Sequence, residues 1–287
     1  MTALASESWG VGGGLAGYCW QAQRPRAIVL LQHGYAEYAE RFVVDHGALI
    51  PRLVNAGFSV FAFDLPGHGG SPGTRGVVDV DQAVQHHLNA RGLLEAQGLP
   101  LFLIGHSLGG LVTAASVVTL QDGIAGVILS SPAFDRRNTA TRAIAERVAK
   151  ISPEWGIAAQ QPPGGLSREE TAVQRFADDP RIYRGPLPAV MAASALRVAN
   201  RVHKAAPTWT VPTIIVHGTA DPFTPSGDSV AMFGRIAARD KILELVDGGR
   251  HELLNDVESE RVMTTLLIWI DTHVARAPIL PKENNHE

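Results

Sequence analysis

A serine set between two glycines can act as a nucleophile, and this chain holds one in Gly105-His106-Ser107-Leu108-Gly109-Gly110. The stretch fits the pattern G-x-S-x-G. It follows the apolar run Leu101–Ile104 and precedes Leu108, Leu111, Val112, Ala115 and Val118, which recur at helical spacing. That strand–turn–helix setting is what the motif requires. A sharp turn strains the serine backbone, and glycines at 105 and 109 remove side chains that would collide. The turn lifts the hydroxyl clear of the sheet, at the positive end of the next helix. A glycine-rich packing turn with a chance serine is the plainer reading of the same residues.

A hydroxyl attacks only when a base takes its proton. Eleven histidines compete for that task. His251 stands in Asp247-Gly248-Gly249-Arg250-His251-Glu252, after the apolar run Ile242–Val246 and before the last helical pattern. The chain order Ser, Asp, His places the base there. His217 and His33 rival it by position, although His33 heads a glycine turn. His86 and His87 are adjacent on a helix and point about 100° apart. His106 lies within the elbow and should pack beneath it. The acid that steadies the imidazole fits Asp221, thirty residues before His251 and one strand–helix unit away. Asp135 is the rival acid, and Asp221 also reads as a turn former before Pro222.

The oxyanion formed on attack needs fixed donors, each worth roughly 3 kcal/mol. One is the backbone N–H of Leu108, next to the serine. The other belongs to the loop Gln32-His33-Gly34-Tyr35-Ala36-Glu37-Tyr38, and the N–H of Tyr35 is assigned to it. Glu37 and Arg41, four apart, are expected to pair and shape this loop. No His, Asp and Glu set has metal-ligand spacing, and the chemistry asks for no cofactor. Gly12-Gly13-Gly14 lacks the Gly-Lys-Ser/Thr of a phosphate loop and reads as a hairpin turn. Asp64 to Ser71 reads as a structural loop.

The elements that must position these groups alternate short apolar runs with longer helical patterns, an α/β arrangement with a mostly parallel sheet. Strands are expected at Ala27–Leu31, Phe58–Phe63, Leu101–Ile104, Gly126–Ser130, Thr213–Val216 and Ile242–Val246. Several are near-continuous Val, Ile, Leu and Phe, which suits strands covered on both faces. Helices are expected near Phe42–Asn55, Val80–Gln97, Leu108–Thr119, Ser226–Ala237 and Glu258–His273. The rhythm breaks after Ser131. Helical patterns at Thr139–Lys150, Arg168–Phe176 and Ala189–Lys204 are separated there by Pro- and Gly-rich turns. This predicts a helical cap over 135–207, inserted in a core of 1–134 and 208–277, with 278–287 a disordered tail.

The chain has 287 residues, 45% of them hydrophobic and 18% charged, with a formal charge of −3. Such a chain is globular and lacks the basic excess that phosphate backbones demand. Between Arg136 and Pro207, twelve Lys and Arg stand against six Asp and Glu. Arg197, Arg201 and Lys204 lie at near-helical spacing there, a stripe that could touch anionic lipid. The one cysteine, Cys19, excludes an internal disulfide. No apolar stretch approaches the ~20 residues of a membrane span, and the first residues lack a signal-peptide pattern. A cytoplasmic monomer or homodimer is expected.

On these motifs the chain resembles the α/β-hydrolase superfamily, and within it the monoacylglycerol lipase and lysophospholipase subgroup, over roughly residues 9–274. The subgroup's H-G-x-G-E-H-x-x-R-[YF] has its counterpart in His33 to Phe42, with Ala36 for a glycine and Tyr38 for a histidine. Its D-x-x-G-H-G-x-S is Asp64 to Ser71, its elbow Gly105 to Gly110, its acid motif Gly218 to Asp221, and its base motif Gly249 to Glu252. The resemblance implies an α/β-hydrolase fold with an inserted helical lid. It implies a serine carboxylester hydrolase with Ser107 as nucleophile, Asp221 as acid and His251 as base. The substrate is expected to be a small-molecule or lipid ester with one aliphatic acyl chain. Trp155, Ile157, Met191, Leu196 and Val198 could line the acyl pocket, or simply pack the lid. The same triad also serves thioester, amide and C–C hydrolysis and acyl transfer.

Overall fold

The computed structural model describes residues 4–135, 139–160 and 162–275, so the expected tail, 278–287, lies outside them. Eight strands form one sheet: β1 (Glu7–Ser8), β2 (Gly17–Trp20), β3 (Ala27–Gln32), β4 (Phe58–Phe63), β5 (Leu101–His106), β6 (Ile124–Ser130), β9 (Thr213–Gly218) and β10 (Lys241–Val246). Their order is β1-β2-β4-β3-β5-β6-β9-β10. From β4 to β10 neighbours run parallel, while β2 lies antiparallel on β4 and β1 antiparallel on β2. β7 (Gly156–Ala158) and β8 (Leu187–Pro188) form a separate antiparallel ribbon.

The helices are α1 (Arg41–Val44), α2 (Leu49–Asn55), α3 (Val80–Glu95), α4 (Leu108–Thr119), α5 (Thr139–Ile151), α6 (Glu170–Asp178), α7 (Ala189–Ala205), α8 (Ser226–Arg235) and α9 (Ser259–Val274). They cover both faces of the sheet. In β3, Ile28 and Leu30 join one apolar cluster with Val84, Leu111 and Val198, whereas Val29 and Leu31 join the other with Leu53, Met263 and Ile270. Alternate residues thus feed opposite cores, which is why β3 has no polar position before Gln32. Each such side chain contributes roughly 1.5–3 kcal/mol on burial.

The six expected strands are all present. β1, β2, β7 and β8 were not foreseen, because runs of two to four residues show no period. Gly12, Gly13 and Gly14 all have positive φ, between 64° and 85°, and turn the chain from β1 to β2 as a hairpin. The expected helix Phe42–Asn55 is corrected to α1 and α2. Between them His46, Gly47 and Ala48 all turn to positive φ, which no α-helix accommodates. Between β6 and β9, neighbours in the sheet, the chain departs to build α5, β7, α6, β8 and α7. α7 packs on α3 and α4 and so ties this excursion to the core. Among the described residues no helix is long and apolar enough to cross a membrane.

His87 on α3 is fully buried beside Phe63, and neither ring nitrogen has a hydrogen-bond partner among the described residues. Burial, followed by the charge of Arg91, pushes its pKa down to about 3. The unfolded chain, with an ordinary value near 6.5, binds the proton first as pH falls. Stability from this neutral imidazole is therefore complete above about pH 6.5 and declines as pH falls from there towards 3. Between about pH 7.5 and pH 5 the wild type should lose about 2 kcal/mol more than His87→Leu in urea unfolding. Equal losses in the two proteins would remove His87 from the acid response.

Candidate active site

β5 ends at His106 and α4 starts at Leu108, so one residue makes the whole turn. Ser107 adopts φ 53° and ψ −118°, a conformation few residues with a side chain accept. The glycines beside it have no alternative. A Cβ on Gly109 would lie 2.2 Å from the Gln32 carbonyl oxygen, and one on Gly105 would lie 2.6 Å from the Gly109 carbonyl oxygen.

His251, on the loop between β10 and α9, has Nε2 2.9 Å from Ser107 Oγ and Nδ1 2.7 Å from Asp221 Oδ2. An ionised carboxylate only accepts, so Nδ1 carries the proton and Nε2 is left to accept from the serine hydroxyl. Asp221 sits just beyond β9 and is buried. Its Oδ1 accepts from the N–H of Phe223 at 2.8 Å and of Thr224 at 3.1 Å, and Oδ2 accepts from the Thr224 hydroxyl at 2.8 Å. Burial alone would raise its pKa. The adjoining His251 charge and hydrogen bonds from His217, His251 and Thr224 outweigh it and hold the carboxyl well below the usual range.

The rival histidines have other partners. His33 Nδ1 donates to the Gly34 carbonyl at 2.7 Å, and its Nε2 accepts from the Leu65 N–H at 2.9 Å. His217 Nδ1 lies 2.7 Å from Ser229 Oγ, and Nε2 contacts the Thr224 carbonyl at 2.8 Å and Asp221 at 3.2 Å. His217 thus buttresses the acid, a role its position at a strand end did not disclose. His106 lies against His251, ring centroids 5.0 Å apart. Burial, ahead of its neighbours' charges, pushes its pKa down to about 3, so it stays neutral beneath the elbow.

The loop after β3 crosses close to the serine, and a Cβ on Gly34 would stand 3.1 Å from Ser107 Cβ. Tyr35 and Leu108 line one cavity with Ser107 and His251. Leu108 is the first residue of α4, whose leading N–H groups have no partner within the helix. The cavity holds about 400 Å³ and is largely apolar. Asp135 is part of its wall, away from the acid's position. Of the five residues expected to line an acyl pocket, Met191 and Leu196 do so and three do not. Trp155 is 66% exposed and Ile157 41% exposed, on the outer side of the excursion. Val198 continues the Met191–Ala195 stripe of α7 but lies deeper, fully buried in the core cluster. Of the basic stripe, Arg197 and Arg201 both pair with Asp81 on α3 at 2.6 Å.

Under the site lies a buried charge network. Arg41 Nη1 and Nη2 donate to Glu252 at 2.6 and 2.8 Å, and Nη1 also donates to Glu37 at 2.9 Å. Glu37 in turn accepts from the Gly34 N–H at 2.7 Å. The expected Glu37–Arg41 pair exists, but Glu252 was missed. Its only sequence signal is an acid directly after the candidate base. Burial raises both carboxyls, and the surrounding charges, of His46 and Arg41 for Glu37 and of Arg41 then His46 for Glu252, bring them below the ordinary range. Glu37, His46 and His106 bring ligand atoms within 4.8 Å of one another. A cation there would face the guanidinium of Arg41, which already bonds Glu37 and lies 3.2 Å from His46.

A model of the family described as serine aminopeptidase, S33, matches residues 23–258. A monoacylglycerol lipase of Mycolicibacterium smegmatis is 31% identical over 87% of this chain and 90% of its own length. The human monoglyceride lipase is 28% identical over 88% of this chain and 85% of its own. The crystal structure of the Paleococcus ferrophilus monoacylglycerol lipase superposes with a TM-score of 0.81 at 33% identity, covering 90% of this chain and 99% of that one.

Replacing Arg41 by Met should destabilise the protein by about 3–5 kcal/mol, because it strips the guanidinium from two buried carboxylates. Arg41→Lys should recover little, since an ammonium cannot bond both oxygens of Glu252 in parallel. A loss below about 1 kcal/mol for Arg41→Met in chemical denaturation would contradict this account of the network.

Proposed function

Because the chain belongs to the serine aminopeptidase, S33, family of α/β-hydrolases, in its monoacylglycerol lipase-like subgroup, and is a serine ester hydrolase of the lipase and esterase type, we propose that Ser107, His251 and Asp221 are its triad. The observation that carries the reading is the unbroken run of hydrogen bonds from Asp221 through His251 to Ser107 at the mouth of a largely apolar cavity. His251 Nε2 takes the hydroxyl proton as Ser107 Oγ attacks the ester carbonyl. The oxyanion settles on the N–H groups of Tyr35 and Leu108. The same Nε2 returns the proton to the departing alcohol, leaving an acyl-serine that water then cleaves.

The substrate in this reading is a carboxylic ester with one aliphatic acyl chain and an uncharged alcohol, of the monoacylglycerol kind. Met191 and Leu196 give the chain an apolar wall. Among the described residues the cavity lining includes no Lys or Arg, so a phosphate head group finds no cation there. We take 135–207 as a cap over a core of 1–134 and 208–277. Contact with a lipid surface would fall to the exposed Ile151, Trp155 and Ile157 of that cap, since Arg197 and Arg201 are engaged with Asp81.

Ser107→Ala should lower kcat/KM for p-nitrophenyl butyrate by about 10⁴-fold or more, and Asp221→Asn by about 10⁴-fold, with melting temperatures little changed. Retention of most activity by Ser107→Ala would refute the assignment. In a panel of 1-monooctanoylglycerol, lysophosphatidylcholine and an amino-acid p-nitroanilide, the glyceride should be turned over fastest. Faster turnover of the phospholipid or the anilide would replace the head-group reading.

A further inference from the structure

We propose that Tyr38, Asp179 and Arg181 are positioning residues that clasp the Tyr35 loop to the cap and so aim the Tyr35 N–H at the oxyanion. The proposal rests on the reading of that N–H as a donor.

The loop is held from two sides. On the inner side, Gly34 N–H donates to Glu37, which Arg41 fixes in turn. On the outer side every restraint comes from elsewhere in the chain. Ala36 has φ 71°, a conformation that favours glycine. Its carbonyl accepts from the Tyr183 N–H at 2.9 Å. The Tyr183 ring meets the Tyr35 ring edge to face, centroids 6.0 Å apart. Two residues beyond Ala36, the buried Tyr38 donates its hydroxyl hydrogen to the Asp179 carboxylate and accepts from the Arg181 guanidinium. That guanidinium also lies 3.8 Å above the Tyr38 ring and pairs with Glu40 at 3.1 Å. Cap residues 179–183 therefore grip residues 36–40 by stacking, charge and a backbone bond together.

A hydrogen-bond donor stabilises a transition state only when its N–H direction is fixed before the charge appears. The Tyr35 amide is joined directly to Gly34 and stands one residue from Ala36, whose backbone is strained. Without the clasp that strain can relax by rotating the loop, and the amide turns with it.

The test compares wild type, Tyr38→Phe and Arg181→Gln with p-nitrophenyl butyrate as substrate. Affinity for hexyl trifluoromethyl ketone, whose hemiketal oxygen stands in for the oxyanion, is measured alongside. Both variants should lose about 10- to 100-fold in kcat while KM stays within about threefold, and ketone affinity should fall by the same factor as kcat. Tyr38→Phe removes a single oxygen, so it carries the test should Arg181→Gln fail to fold. A loss confined to KM, or a fall in kcat with unchanged ketone affinity, overturns the proposal. Fluorophosphonate labelling separates the two levels. If Ser107 is labelled in all three proteins and kcat is unchanged, the clasp alone is wrong. If the wild-type Ser107 resists labelling, the reading of the site fails and the clasp with it.

Discussion

One buried guanidinium fastens the two loops on which the site depends. Arg41 bonds Glu252, the neighbour of His251, and Glu37, whose other oxygen holds the Gly34 N–H. These loops come from opposite ends of the chain and leave different strands. Apolar packing alone would leave their relative placement soft, because it has no direction. A planar group with paired donors fixes angle as well as distance. The desolvation of three charged groups is the cost, and it is tolerable only while every partner stays in place.

Much of this was legible in the chain because the strongest signals are steric. Gly105 and Gly109 must be glycine since carbonyl oxygens occupy the space of their missing side chains. Strands buried on both faces announce themselves as unbroken apolar runs, and the half-exposed edge strand β10 was legible as well from the Ile, Leu and Val around Glu244. The two-residue strand β1 and the ribbon of β7 with β8 were not, because nothing periodic fits in so few residues. The helix after the Tyr35 loop was drawn too long, since His46 and Ala48 resemble ordinary helix residues but adopt positive φ. Glu252 and His217 stayed hidden for a different reason. Their work is to support another side chain, and only distance in space reveals it.

The stretch between β6 and β9 is held by more than one kind of force. α7 gives Val198 and Val202 to the core, an attachment that resists displacement. The stretch 166–184 is held by polar contacts instead. The Leu166 carbonyl accepts from the Glu252 N–H at 2.7 Å, Arg168 bonds Asp256, and Arg175 pairs with Asp45 at 2.6 Å. Met191, on the cavity wall, thus rides on the firmly seated α7.

The insertion between β6 and β9 also sets the order in which the machinery can come together during synthesis. β3, β4, β5 and β6 are mutual neighbours and leave the ribosome early, so the serine elbow can form as soon as Ser130 pairs with His106. Asp221 waits for β9 and His251 for the loop after β10, on the far side of residues 131–212. At translation rates of roughly 5–20 residues per second, that interval lasts several seconds. A half-made chain therefore carries the bent serine turn without the Asp221 and His251 side chains that line up with it in the folded protein.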